Sequence, residues 1–218
     1  MILRRAALKS AVVLGVCIAT CGSAFAADTH AAATQATAVS SKLSATQAAL
    51  RDLWIGHIFW VREVVRNLAA NDAADAKLAE QQVVANAKQI AGAIAPFYGQ
   101  AASDQLFKLL AGHYGAVKAH AQATIAKDAA GAKTAVEQLT SNAGEIAGFL
   151  SGANPYLPKD TLMGLLSAHG AHHVQQNQQI AAKDWASEAK TWEAMKNHMY
   201  VIADALGAGI AKQFPDKF

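Results

Sequence analysis

The chain has 218 residues, 53% of them hydrophobic, which is enough for one sizeable core and one domain. Its formal net charge of +3 comes from 19 basic and 16 acidic residues. Three of the basic residues, Arg4, Arg5 and Lys9, sit at the extreme N-terminus, so the rest carries 16 basic against 16 acidic residues and no basic patch for nucleic acid or an anionic membrane.

Those three charges precede an uncharged apolar run, Ala11 to Thr20, and then Ala24-Phe25-Ala26. Basic start, short apolar stretch and A-x-A site together predict a secretory signal peptide over residues 1–26, too short to span a bilayer as a helix. The expected product is exported to the periplasm or secreted, without stable membrane insertion. Both cysteines, Cys17 and Cys21, lie in the segment to be removed. The mature chain then has no disulfide, no thiolate metal ligand and no cysteine nucleophile.

Residues 27–43 are rich in Ala and Thr without aromatic anchors and read as a flexible leader. The bundle domain is expected over 44–218. Leu50, Trp54, His57, Val61, Val64 and Leu68 recur at steps of three and four, one apolar face of a helix. Asn71-Asp72 breaks that helix, and Asp72 can cap the next, whose face carries Val83, Asn86, Ile90 and Ile94. Pro96 to Gly99 ends it. Ser103 is the expected cap of a helix with Leu106, Leu110, His113, Val117 and His120 on one face. Lys127-Asp128 is the next turn, and Leu139, Asn142, Ile146 and Leu150 return. After Asn154 to Pro158, Leu162, Leu166, His169, His173 and Ile180 go out. Asp184 caps the last helix, and Met195, His198, Ile202 and Leu206 come back.

The three hairpins share a register. Leu53-Trp54-Ile55-Gly56-His57 recurs 56 residues on as Leu109-Leu110-Ala111-Gly112-His113, and again as Leu165-Leu166-Ser167-Ala168-His169. Asn86-Ala87-Lys88-Gln89-Ile90-Ala91-Gly92 recurs as Asn142 to Gly148 and, loosely, as His198 to Asp204, each 29 residues after its histidine. Tandem repeats of this kind make an all-α fold of three helical hairpins. Because the outer units keep the full pattern instead of polar caps, a closed six-helix bundle with pseudo-threefold symmetry is favoured over an open array.

His57 lies about 22 Å of helix before the turn at Asp72 and Asn86 about 21 Å after it, so the two are level in an antiparallel hairpin. The same arithmetic pairs His113 with Asn142 and His169 with His198. Four histidines and two asparagines thus form one inward polar layer, with Gln89 and Glu145 one turn further along. Gly56, Gly112 and Ala168 leave room for close helix approach or a ligand. Two readings follow. Amides and imidazoles can pair and fix the register. Alternatively, one cation can take several imidazole lone pairs that would be costly to bury alone. The candidate ligands are His57, His113, His169 and His198, with Glu145, supported by Asn86, Asn142, Gln89 and His173. Such a set suits Zn, Cu, Fe or Ni. His169 and His173 have helical metal spacing, but Gln175 to Gln179 suggests a solvated stretch. His120 reads as support or core filler, Met195 as packing, His30 as uninvolved, and Arg62, Glu63 and Arg66 as a charged face. No Gly-rich phosphate loop, G-x-S-x-G or CxxCH occurs.

The run Leu53 to Arg62, an LWxxHxxWxR pattern, with Asn142 to Ala147 and Asn154-Pro155-Tyr156, resembles a group of small uncharacterised bacterial secreted helical proteins. That resemblance implies no activity. Hemerythrin-like di-iron proteins are also His-rich bundles, but the HxxxE spacing and bridging carboxylates are missing at the repeated histidines. A metal-binding protein for storage, buffering, sensing or redox is the leading expectation. A metal-free scaffold or partner-binding bundle, and a His-ligated metalloenzyme or di-iron protein, are the alternatives. The protein partner is left open.

Overall fold

A computed structural model describes the backbone from residue 24 and the side chains from Ser41 to Phe218. The expected signal peptide lies almost wholly outside the described residues. Among these, the fold is an all-α bundle: α1 (Ala24–Ala69), α2 (Ala73–Ala93), the single turn α3 (Ala95–Tyr98), α4 (Gln100–Ile125), α5 (Ala129–Ala153), α6 (Lys159–Ala181) and α7 (Trp185–Gln213), then a 3-10 turn (Pro215–Lys217). No described helix is long and apolar enough to cross a membrane. Residues 24–38 form a unit of their own, and the compact unit is Val39–Phe218. The expected leader, residues 27–43, falls within the first part of α1. Its many alanines are strong helix formers, and no Gly or Pro interrupts them.

The predicted stripes are the buried ones. Leu50, Trp54, His57, Val61 and Val64 are buried on α1, Val83, Asn86 and Ile90 on α2, and Leu106, Leu110, His113, Val117 and His120 on α4. On α6 they are Leu162, His169, His173 and Ile180. In a folded protein most of a helix's stability comes from packing such a face, and here that burial secures the helices.

Each hairpin turn is built the same way. Asn71, Lys127 and Lys183 adopt left-handed backbone at φ 59°, 57° and 59°. The following Asp N–H reaches back to a carbonyl five residues earlier: Asp72 to Asn67, Asp128 to Ala123, Asp184 to Gln179, at 2.8–2.9 Å. This is a Schellman closure of the outgoing helix. The same three aspartates then accept from Asp75, Gly131 and Ser187 backbone N–H groups and cap the returning helices. Ser103 is not a cap. Gly99, at φ 83°, starts α4 earlier, and Ser103 is buried inside it.

Neighbouring hairpins touch through α2 with α4 and α5 with α6. Helix α7 meets α1: Arg51 pairs with Asp204, and Gln47 Nε2 donates to the Asp204 carbonyl. Deeper along that seam, Arg62 makes a two-pronged pair with buried Glu188 at 2.6 and 2.7 Å. Arg62 is therefore part of the helix packing and not merely of a charged face. Its guanidinium also lies 5.2 Å from the Trp192 ring centroid.

Candidate metal centre

The level arithmetic has a specific outcome. Asn86 Nδ2 donates to the Leu53 carbonyl at 2.9 Å, and Asn142 Nδ2 to the Leu109 carbonyl at 3.0 Å. His198 Nε2 donates to the Leu165 carbonyl at 2.8 Å. Each acceptor lies one turn before the repeated histidine of its hairpin. Gly56 and Gly112 make the first two contacts possible, because a Cβ there would sit 3.0 and 3.1 Å from the asparagine Nδ2 atoms. The small residues thus admit the asparagine side chains.

Those bonds tie each pair of helices together at one height and turn the repeated histidines inward. The ring centroids of His57, His113 and His169 are 5.8, 5.7 and 5.3 Å apart. His173, four residues after His169 and so on the same face of α6, joins them, its centroid 4.5 Å from His169, 5.8 Å from His57 and 5.5 Å from His113. One ring nitrogen from each of the four lies within 4.8 Å of the others, with no carboxylate or thiolate among them. All four residues are buried. His169 Nε2 and His173 Nε2 are 3.1 Å apart, while His57 Nε2 and His113 Nε2 have no hydrogen-bond partner. Leaving such a group unpaired costs about 1–3 kcal/mol.

Burial in this apolar layer drives His57 down to about 3, with the His113 ring adding to the shift, and His113 down to about 4. His169 and His173 are held well below the ordinary imidazole value, first by burial and then by their neighbouring rings. At neutral pH the cluster is four uncharged imidazoles. A tetrahedral ion with bonds of about 2.0–2.1 Å needs nitrogens roughly 3.3 Å apart. The His169–His173 pair is already near that spacing, and the whole set needs a contraction of an ångström or so.

Five of the predicted site residues lie outside this cluster. His198 is half-buried, spends Nε2 on the Leu165 carbonyl, and packs edge-on against His172 at 5.4 Å. It takes the part of Asn86 and Asn142, and His173 takes the place in the histidine cluster expected of it. Glu145 and Gln89 are exposed. They follow Asn142 and Asn86 by three residues, and the stripe passes instead through the fourth, Ile146 and Ile90. Asn86 and Asn142 bind backbone carbonyls and position the helices. His30 lies outside the residues whose side chains are described.

The supposedly solvated stretch of α6 holds a second buried polar layer. Gln176 Nε2 donates to Glu188 Oε1 at 2.8 Å. Asn177 Nδ2 donates to the Val117 carbonyl and to His120 Nδ1, both at 3.1 Å. Burial raises the Glu188 carboxyl's pKa, but the Arg62 and Gln176 hydrogen bonds more than offset this, and Glu188 stays below the usual carboxylate range. Met195 is fully buried among the core residues of α1, α2, α4 and α7. No family model matches this chain, and no curated protein or solved structure does either.

Proposed function

We propose that this protein is exported and binds one transition-metal ion through His57, His113, His169 and His173. The observation that carries the reading is the convergence of four buried, uncharged imidazoles, two of which, His57 and His113, have an Nε2 with no protein partner. An all-imidazole set without oxygen donors suits Zn, Cu, Fe or Ni and is a poor match for Mg or Ca. Storage, buffering, sensing or redox use of the ion are the uses that such a buried, carboxylate-free set fits. The contacts α2 with α4, α5 with α6 and α1 with α7, with the near-equal spacing of the repeated histidines, support the closed pseudo-threefold arrangement of the hairpins. The Ala24-Phe25-Ala26 site supports export, which N-terminal sequencing of the mature protein tests.

The metal reading is tested on protein purified from the compartment to which it is exported. Elemental analysis should find one ion per chain. Melting with and without chelator should differ strongly for wild type and little for His113→Ala. An ion bound only by the native state adds about 4 kcal/mol at a thousandfold excess over its Kd. If chelator leaves the wild-type melt unchanged and no ion is found, the layer is structural and the protein is a scaffold.

A further inference from the structure

The cluster is not packed equally on its two sides. A cavity of about 60 Å³ begins at His57, His113 and His169 and runs between apolar walls that include Leu110, Ile146 and Phe149. His173 is not part of its lining. Three imidazoles therefore ring one face of the cluster, and the fourth approaches from behind. We propose that the bound ion, where it is a redox-active one such as iron or copper, keeps a coordination position on the side away from His173, opening into this cavity, and that the position takes a small uncharged diatomic molecule of the nitric oxide, carbon monoxide or dioxygen class. This rests on the metal reading above.

Size and chemistry select that class. A single water needs about 10–15 Å³ of such volume, and an apolar cavity of about 150 Å³ accepts benzene. The space here suits a molecule of a few heavy atoms. The walls beside the histidines carry no charge, so an anion would enter at a desolvation cost that a neutral diatomic does not meet. The cavity reaches Ile94, eight residues beyond Asn86 on α2, about 12 Å along the helix. Tyr98 and Asn154 also line it. Asn154 Nδ2 donates to Tyr98 Oη at 2.9 Å, the Tyr98 hydroxyl donates to Gln213 Oε1 at 2.8 Å, and Gln213 Nε2 donates to the Ala153 carbonyl at 3.0 Å. This hydrogen-bonded set stands at the loop end of the bundle. The binding step is the coordination of one ligand atom to the metal; for nitric oxide the unpaired electron of the ligand couples with the metal's spin, and no other bond is made or broken.

The test uses the mature protein loaded anaerobically with cobalt(II), with cobalt stoichiometry measured first. Nitric oxide should change the visible spectrum and remove the cobalt(II) electron paramagnetic resonance signal, and millimolar azide should leave both unchanged. Ile146→Phe, which fills the cavity, should weaken the nitric oxide response at least tenfold at unchanged cobalt stoichiometry. Leu150→Phe on the same wall gives that readout if Ile146→Phe does not fold. Cobalt bound with no nitric oxide response overturns this inference alone, as does an azide response equal to that of nitric oxide, or filled variants that respond like wild type. Failure of the wild type to bind cobalt overturns the metal reading, and this inference falls with it.

Discussion

Acidification of the metal-free protein should unfold it, in a window set by the buried histidines. His57 is held at about 3 and His113 at about 4 in the folded chain. In the unfolded chain both return to about 6.5. The unfolded state therefore takes up protons first, and folding stability falls as pH falls below about 6.5. Each group loses about 1.4 kcal/mol per pH unit until its folded value is reached. At pH 4.5 the two have lost about 2–3 kcal/mol each, about 5 together, against a total stability of about 5–15 kcal/mol for a typical domain. His169 and His173 shift in the same direction and add to the loss. Urea midpoints of chelator-treated protein, followed by circular dichroism from pH 7.5 to 4.5, measure this directly. The His57→Gln, His113→Gln double variant should flatten the slope by close to two protons. A midpoint constant over that range, or a double variant with the wild-type slope, would refute the reasoning.

Two further predictions concern the frame that holds the cluster. Glu188→Ala strips the buried partner from Arg62 and Gln176 and should cost about 3–5 kcal/mol in thermal or urea unfolding; a loss under 1 kcal/mol would mean that the pair is dispensable. Lys183→Gly relieves a side chain held at φ 59° and should raise stability by up to about 1 kcal/mol, with destabilisation counting against the turn geometry.

The hairpins, stripes and aspartate caps were legible because each depends on residues close in sequence. Spacing by three and four marks a buried face, and an Asp before a helix marks its start. His57, His113 and His169 were legible for a further reason. Equal height above three similar turns brings equivalent residues to one level, whatever the order of the hairpins. His198 and His173 were exchanged because the third repeat carries a histidine where the others carry asparagine. By composition that looks like a ligand, yet its Nε2 meets a backbone carbonyl as the asparagines do. The spacing of His169 and His173 was the available signal for the true fourth member, and the glutamines beside it obscured it. The Arg62–Glu188 pair joins residues 126 apart on different hairpins, and no local pattern announces such a contact. Neither does the cavity, which depends on how side chains from all three hairpins fail to meet.

The most direct test of the central claim is a metal titration of chelator-stripped protein, run in parallel on wild type and six single variants. Wild type should bind one ion per chain. His57→Gln, His113→Gln, His169→Gln and His173→Gln should each weaken binding by more than the about 10–100-fold loss that follows removal of a group that only supports a ligand. His172→Gln and His198→Gln should fall within or below that range. Absence of stoichiometric binding by wild type, or a loss for His198→Gln as large as for His173→Gln, would contradict the four-histidine site.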